Sequence, residues 1–179
     1  LSANFVTTGT NIASFVEMDG YQFYASEDGF VYHSNLNSVS LYSAADRIAA
    51  NMSPDLPVAI ARHKNMIICF GTNSVDFFYN AGNPSGSVLN RAEQYFQRVG
   101  IQNQRSLVAL EDTIYFISSS RTGDIQVKKL ANLQISKIST SAIDRILGTG
   151  NATGSAMYLN AFTLGGYSYL LIQVISVLA

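Results

Sequence analysis

Residues 63–82 read HKNMIICFGTNSVDFFYNAG, and this stretch decides how the rest of the chain is interpreted. The apolar run at 66–70 and the aromatic-rich run at 75–79 both have the length of a β-strand. The sequence GTNS at 71–74 separates the two runs, and Gly82 follows the second. Two short strands on either side of a four-residue turn predict a β-hairpin. No residue in this stretch points to catalysis.

The same order of strand, tight turn and aromatic-apolar strand occurs four times. The four segments are FVEMDGYQFYA, AIARHKNMIICF, VALEDTIYFIS and AFTLGGYSYLLI, and a third strand follows in the first three. The second strands begin near Tyr21, Met66, Ile114 and Tyr167, at intervals of 45, 48 and 53 residues. Intervals of this size are typical of β-propeller blades with three or four strands each. A two-sheet sandwich of successive hairpins is the alternative.

These patterns predict an all-β chain of antiparallel, β-propeller-like blades that form a single domain, or a fragment of one, over residues 1–179. The blades are expected at about residues 12–50, 56–90, 105–147 and 155–179. One short helix is expected near 141–147, where oxygen-bearing side chains at 139–141 can cap its first turn and Gly148 can end it. The blade count suggests an incomplete propeller.

Three further segments carry expectations of their own. Residues 41–51 fit a helical stripe of apolar side chains, but they also fit an outer strand, and we favour the extended interpretation. Residues 4–12 read as a loop or an edge strand, and residues 81–90 read as a loop. The apolar residues 167–179 are fewer than the ~20 that a membrane-spanning helix needs, and a core strand is expected there.

The composition limits the classes of function. Charged residues make up 13% of the chain, about half of the roughly 25% in an average soluble domain, which weakly favours a protein covered by partners. The net charge is −1, from 11 basic and 12 acidic residues, and no basic run is present. A protein that wraps nucleic acid needs several Lys or Arg residues to neutralise phosphates, so direct wrapping is not expected. The single cysteine, Cys69, lies in an apolar run and is expected to be buried.

The residues that could carry chemistry do not form a recognisable site. His33 and His63 are expected on a strand and in a turn, and we interpret them as surface or structural histidines rather than metal ligands. Neither paired carboxylates for glycoside hydrolysis nor a glycine-rich phosphate loop is evident. Four carboxylates are expected at turns or strand ends as ordinary solvated groups: Asp19, Glu27, Asp76 and Asp124. The sequence therefore predicts no enzyme, no metal and no cofactor.

Three arginines recur every seven residues along a polar, Gln-rich stretch, at positions 91, 98 and 105. A helical basic face could extend to Val99. A solvated loop or an interface arm is the interpretation that we favour.

The order of these features resembles a known family, the packaged-DNA stabilisation proteins of short-tailed bacteriophages, also called tail accessory factors or tail hub and nozzle proteins. The family pattern is an apolar strand, Gly, a Ser/Thr turn, an acidic residue, aromatic residues and a final Gly. It is matched here by Gly71, Ser74, Asp76, Phe78, Tyr79 and Gly82. The sequences DLP at 55–57, RSLVALED at 105–112 and ISTSAI at 138–143 also resemble family segments. Members of the family are substantially longer than this chain.

The resemblance implies a structural role without catalysis or cofactors, in which the matched residues build the fold. Such proteins form a ring below the portal, together with other tail and portal proteins, and retain the packaged genome in the head. The resemblance implies a virion tail location after assembly in the bacterial cytoplasm, with no membrane and no sequence-specific nucleic-acid binding. The alternative is a carbohydrate-binding or glycoside-acting β-propeller, in which Tyr and Asn side chains contact sugars.

Overall fold

The computed structural model describes residues 12–39, 41–50, 52–53, 55–120, 122–152 and 155–175. These residues form antiparallel sheets and one α-helix, as the sequence predicted. The chain divides into two compact units, Leu1–Arg98 and Val99–Ala179. The loop or edge strand expected at 4–12 lies outside the described residues except for Ile12. The last four residues of the expected C-terminal strand also lie outside them.

The first sheet is a meander of four antiparallel strands in chain order. Its first turn is Asp19-Gly20, where φ is +55° and +80°. Both residues tolerate these left-handed angles, which match the twist of a two-residue hairpin. The last strand covers most of residues 41–51, so the extended interpretation of that segment is confirmed. The strands are β1 (Ile12–Met18), β2 (Tyr21–Ser26), β3 (Phe30–Ser34) and β4 (Tyr42–Ala49).

The second sheet contains the hairpin of residues 63–82, and it too is a four-stranded meander. The central pairing places Met66 opposite Tyr79 and Phe70 opposite Val75, so the predicted hairpin is confirmed. The expected loop at 81–90 is wrong at its end, because Leu89 and Asn90 belong to a short fourth strand that pairs with β7. The strands are β5 (Pro57–His63), β6 (Met66–Gly71), β7 (Val75–Asn80) and β8 (Leu89–Arg91).

The third sheet lies in the second unit and again has four strands in chain order, with one additional short strand at its side. Two 3₁₀ turns, Glu93–Tyr95 and Gln104–Ser106, occur in the polar stretch before residue 107. No α-helix forms among residues 91–99, so the helical basic face is wrong. The strands are β9 (Gly100–Ile101), β10 (Leu107–Leu110), β11 (Thr113–Ser119), β12 (Ile125–Ala131) and β13 (Gln134–Lys137), with β9 beside β11.

The helix α1 (Ser141–Ala152) follows this sheet. The Thr140 Oγ1 atom accepts a hydrogen bond from the Ile143 amide, so the predicted capping at 139–141 is confirmed. The expected end at Gly148 is wrong, because the helix continues for four more residues. Leu147 is the one buried residue among the described side chains of this helix, and Ile146 is 64% exposed.

The last described residues form a long hairpin of β14 (Ala156–Leu164) and β15 (Tyr167–Ile175), which pair along their whole lengths as predicted. The turn is Gly165-Gly166, with φ of +60° and +81°. Helix α1 packs closely on this hairpin. A Cβ atom placed on Gly150 would lie 2.9 Å from the Val174 Cγ1 atom, which explains a glycine inside the helix.

Each unit has its own apolar core. In the first unit, buried side chains from the two sheets form one cluster: Met18, Phe23, Ala25, Val31, Ala50, Ile60, Ile67, Cys69, Phe78, Val88 and Leu89. In the second unit, a smaller cluster joins the third sheet, α1 and β14: Ile117, Ile125, Val127, Leu147, Met157 and Leu159. None of the helical segments in the described part of the chain has the length and apolarity that a membrane span requires.

Candidate functional site

The most concentrated set of polar contacts lies at the turn between β6 and β7 and involves Asp55, Ser74, Asp76 and Arg91, which we call the Asp76 network. The turn itself is closed by the Gly71 amide, which donates to the Ser74 carbonyl oxygen at 2.8 Å. Residues 71–74 form this turn because Gly, Thr, Asn and Ser favour non-regular backbone. The turn thereby brings the side chains of Ser74, in the turn, and Asp76, in β7, next to the segment that precedes β5.

Asp55 holds the turn from outside the hairpin. Its carboxylate accepts hydrogen bonds from the amides of Asn73 at 2.7 Å and Ser74 at 3.0 Å. The Ser74 hydroxyl also donates to the Asp55 Oδ1 atom at 3.0 Å. One carboxylate therefore satisfies two backbone donors and a buried hydroxyl, which fixes the start of β5 against the β6–β7 turn.

Asp76 lies inside β7 and is only 1% exposed. The expectation of a solvated carboxylate is wrong here, since the neighbouring residues Val75 and Phe77 are buried as well. Its carboxylate forms an ion pair with the Arg91 guanidinium and accepts a hydrogen bond from the Met52 amide at 3.3 Å. A buried carboxylate requires partners of this kind, because an unpaired buried charge is strongly destabilising.

Arg91 ends β8 and connects three groups. Besides the ion pair, its Nη2 atom donates to the Ala49 carbonyl oxygen at 2.6 Å. The guanidinium lies 4.8 Å from the centre of the Phe78 ring, a cation–π distance. The Arg91 side chain is 14% exposed, so the expectation of a solvated loop is wrong for this residue. Arg91 thus joins β7 and β8 to the end of β4 in the first sheet.

Burial governs the ionisation of this network. Burial raises the pKa of the Asp76 carboxyl above its ordinary value, while Arg91 and the Met52 amide act in the opposite direction. Burial also raises the pKa of the Cys69 thiol on β6, and the carboxylate of Asp76, which is paired with Cys69 from β7, adds to the effect. A thiol held in its neutral form is a poor nucleophile, which fits a core role for Cys69.

The other matched residues also contact the fold. Phe78 is fully buried in the core of the first unit, whereas Tyr79 is 40% exposed. Gly82 has φ of +64°, a conformation in which an L side chain would be strained. The Gly82 amide donates to the Asn80 Oδ1 atom at 2.9 Å, which bends the chain at the end of β7.

His33 and His63 are both buried and do not approach a metal site. The Val88 amide donates to the His33 Nε2 atom at 3.1 Å, and the His33 Nδ1 atom lies 2.8 Å from the Ser34 carbonyl oxygen. This pattern fits the tautomer protonated at Nδ1, and the ring then links β3 to the loop before β8. Among the described residues, no three His, Cys, Asp or Glu side chains are grouped as metal ligands.

The remaining candidates are dispersed. Asp19, Glu27 and Asp124 are exposed in turns, as expected. Arg98 is exposed in an irregular segment, and Arg105 stands over the Tyr158 ring at 5.4 Å in the second unit. An open cavity of about 550 Å³ lies beside this pair and is lined by Arg105, Leu107, Val108, Tyr158, Leu159, Asn160, Gln173 and Ile175.

The Asp76 network is thus an anchoring arrangement with little capacity for chemistry. Ser74 and Asp76 are closed to solvent, and the Ser74 hydroxyl is used as a donor to Asp55. Sequence reasoning missed Asp55 and Arg91 as members of the network. The available signal was a lone acidic residue in the apolar run VDFFY, because such a residue needs a cationic partner if the run is buried.

Comparison with known proteins identifies relatives of the chain. Residues 2–175 match the model of a family described as bacteriophage P22 Gp10, beta-propeller. The chain is also 30% identical over 108 residues to the tail hub protein gp10 of Salmonella phage P22. That alignment covers 59% of this chain and 22% of the relative, so the aligned part is about a fifth of the relative's length.

Proposed function

Because the chain belongs to the family of the bacteriophage P22 Gp10 β-propeller, we propose that it assembles below the portal and holds packaged DNA in the head. The chain is a structural protein of the phage tail hub and stabilisation family. The finer role is mechanical: an assembly of this protein extends or closes the channel through which DNA leaves.

The observation that carries the proposal is the family match over nearly the whole chain. The Asp76 network supports it, because the most buried polar groups connect strands rather than face a cleft. In this proposal the six residues that match the family pattern are structural residues of a blade: Gly71, Ser74, Asp76, Phe78, Tyr79 and Gly82. The protein is then not an enzyme and needs no cofactor. The described sheets act as blades of one β-propeller-like domain, within about 12–50, 56–90, 105–147 and 155–179.

The low charge of the chain suits a channel component. A net charge of −1 with 11 basic residues leaves no surplus of cations to neutralise phosphates. A wall that bound the DNA backbone tightly would oppose ejection. The proposed partners are therefore copies of the same protein in a ring and the portal and tail proteins around it. Assembly takes place in the bacterial cytoplasm, and the mature protein is in the virion tail.

The test is a phage that encodes this protein and carries a nonsense mutation in its gene. Heads should be packaged and should then lose their genome, which DNase-protected DNA per head and electron microscopy would measure. Wild-type protein supplied in the host should restore full heads, and so should the D112N variant, which changes an exposed carboxylate. Particles that lack the protein but stay full and infectious would refute the proposal.

The second candidate, a carbohydrate-binding or glycoside-acting β-propeller, draws on the cavity beside Arg105 and Tyr158. An aromatic ring with amide side chains nearby is a common way to bind sugars through stacking and hydrogen bonds. A glycan array and hydrolysis assays with aryl glycosides distinguish the two functions. Saturable binding that Y158A and N160A both abolish would favour this candidate over the proposed one.

A further inference from the structure

His33 is a buried histidine whose two ring nitrogens have different roles. The Nδ1 atom lies 2.8 Å from the Ser34 carbonyl oxygen, which can only accept a hydrogen bond, so the ring proton is on Nδ1. The Nε2 atom then carries a lone pair and accepts from the Val88 amide at 3.1 Å. His33 is 4% exposed, and the rings of Tyr21 and Phe23 pack against it. The hydrogen bond from Val88 therefore exists only while the ring is neutral.

Val88 attaches the loop of residues 81–88 to the first sheet. Its carbonyl oxygen accepts from the Ala81 amide at 2.8 Å, which closes the base of the loop. Its amide donates to His33 on β3, and its side chain belongs to the buried cluster of the first unit. The imidazole ring thus connects two segments that lie 55 residues apart in sequence.

A second hydrogen-bond partner for the ring lies in the same loop. The Gly86 carbonyl oxygen is 3.4 Å from the His33 Nε2 atom, against 3.1 Å for the Val88 nitrogen. While Nε2 has no proton, this oxygen cannot bond to it, because both atoms are acceptors. On a protonated ring, Nε2–H can donate to Gly86, but it meets the Val88 amide as one donor facing another. Protonation therefore exchanges one partner in the loop for another that lies two residues away.

The surroundings of the ring leave room for this exchange. A cavity of about 210 Å³ lies beside the ring and is lined by both His33 and Gly86. A Cβ atom placed on Gly86 would meet nothing within 4 Å, so no side chain blocks a small shift of this backbone.

Two other titratable groups among the described residues line the same cavity. From β2, the Tyr21 ring packs edge-on against the imidazole at a centroid distance of 5.4 Å. From β4, Asp46 lines the cavity, and its negative charge compensates the positive charge of a protonated ring. The two connections that also line the cavity, residues 35–41 and residues 81–88, contain no charged or titratable side chain.

We propose that His33 is a pH-dependent latch on the loop of residues 81–88. The neutral ring binds the Val88 amide and fixes the loop. When a proton from solvent is added to the Nε2 lone pair, the ring releases that amide and binds the Gly86 carbonyl oxygen instead. Histidine suits this role because it is the side chain that ordinarily changes its charge between about pH 5 and pH 8. Pro84 and Ser85 in the loop are exposed, so the surface that the protein offers to a partner changes with the latch.

Hydrogen exchange at the Val88 amide tests the latch in the purified chain. NMR measures the protonation of the His33 ring and the protection of the Val88 amide in the same titration, from about pH 8 to pH 5. Protection is taken relative to the intrinsic exchange rate at each pH. It should fall by about tenfold, the effect of losing one buried hydrogen bond, and the fall should follow the protonation of His33.

The Ile60 amide is the matched control within the same unit. It donates to the Ser14 hydroxyl oxygen at 2.6 Å, so it also depends on a side-chain acceptor. A hydroxyl does not titrate in this range, and the protection of Ile60 should stay constant while that of Val88 falls.

Two substitutions separate the latch from other effects of pH. H33Q supplies a side-chain oxygen that can accept from Val88 and does not titrate, so the step in Val88 protection should disappear. D46N removes the acidic group that lines the cavity, and the step should remain and still follow His33. Circular dichroism checks that both variants fold, and the wild-type titration with its Ile60 control stands without them.

Four outcomes would overturn the inference. They are a His33 ring that stays neutral until the protein unfolds in acid, a Val88 amide that keeps its protection while the ring is protonated, an equal fall at Ile60, and a step of the same size in H33Q. The inference goes beyond the proposed function and does not rest on it, because the purified chain tests it without a phage.

Discussion

Asp76 is a single buried residue that binds groups from three different parts of the first unit. It meets Arg91 from β8, the Met52 amide from the segment after β4, and the Ser74 hydroxyl from its own turn, which lies 3.4 Å from the Asp76 Oδ2 atom. These groups come from chain segments up to 39 residues apart in sequence between Met52 and Arg91. Asp76 therefore connects the second sheet to the segment that follows the first sheet, in addition to its contact within the β6–β7 turn.

We expect D76N to lower the free energy of unfolding by about 3 kcal/mol, because it leaves the largely buried Arg91 guanidinium without a counter-charge. Urea denaturation followed by circular dichroism measures the loss. The control D112N removes a carboxylate that is exposed, and should change stability by less than about 0.5 kcal/mol.

The double variant D76L/R91M removes both charges and keeps apolar volume. It should be more stable than D76N, because replacing a whole buried ion pair costs less than breaking it. If D76N and D112N were equally stable, or if the double variant were the least stable of the three, the ion pair would not be what holds this region together.

Asp144 provides a pH-dependent contrast. Its carboxylate accepts from the Ser139 hydroxyl at 2.5 Å and lies 2.5 Å from the Lys137 Nζ atom. Partial burial acts to raise the pKa of Asp144, but the hydrogen bonds from Lys137 and Ser139 outweigh it and hold the pKa below its usual range. An acid of this kind contributes stability above its unfolded pKa of about 3.9, and the contribution is lost as the pH falls through the lowered folded pKa.

D144N should therefore melt about 1–3 °C below the wild type at pH 7, since a partly exposed ion pair contributes less than about 1 kcal/mol. The difference should disappear in acid, where the wild-type carboxyl is protonated as well. Melting curves between pH 2 and pH 7 measure it. A deficit that stays constant across this range would show that the charge of Asp144 is irrelevant.

At the scale of secondary structure, helix α1 shows what the sequence could and could not predict. Its N-terminal cap was predictable, because Ser and Thr next to an apolar run favour capping through local hydrogen bonds. Its end was not, because Gly148 and Gly150 look alike in a sequence. Only the packing of α1 on the hairpin distinguishes them: a Cβ at Gly148 meets nothing within 4 Å, and one at Gly150 meets Val174.

The two glycines give a matched pair of substitutions. G148A should stabilise the protein by about 0.5–1 kcal/mol, because Ala is the better helix former and the site has room. G150A gains the same helix propensity but must displace Val174 and Met157, so it should give less stability than G148A or lower it. Thermal melts of both variants measure the difference, and equal gains would mean that the helix does not pack tightly on β14 and β15.

Among the strands, too, some could be predicted from the sequence and one could not. The hairpins were predictable because their turns depend on local chemistry, as at Asp19-Gly20 and Gly165-Gly166. The short strand β8 was missed because three residues carry no periodicity, and it forms through pairing with β7 and through the Arg91 ion pair. The burial of Asp76 was missed because its partner Arg91 lies 15 residues away in sequence. Only the folded sheet brings the two side chains together.

At the scale of the molecule, the first unit is held by a core that both of its sheets share. Phe23 and Val31 from the first sheet, and Ile67, Cys69 and Phe78 from the second, belong to one buried cluster. A core of this kind makes the two sheets depend on each other, because removing a large side chain from either leaves a cavity for both.

Cys69 can report this dependence, since it is the only cysteine and is fully buried on the second sheet. A thiol reagent should label it only when the core opens, at a rate set by the free energy of that opening. F23A, on the first sheet, removes about 3 kcal/mol or more of packing and should accelerate labelling of Cys69 by about two orders of magnitude. V39A trims a residue that is 71% exposed in the loop between β3 and β4 of the same unit, and should leave the rate unchanged. If F23A disrupted the first sheet without exposing Cys69, the sheets would open separately and the shared core would not couple them.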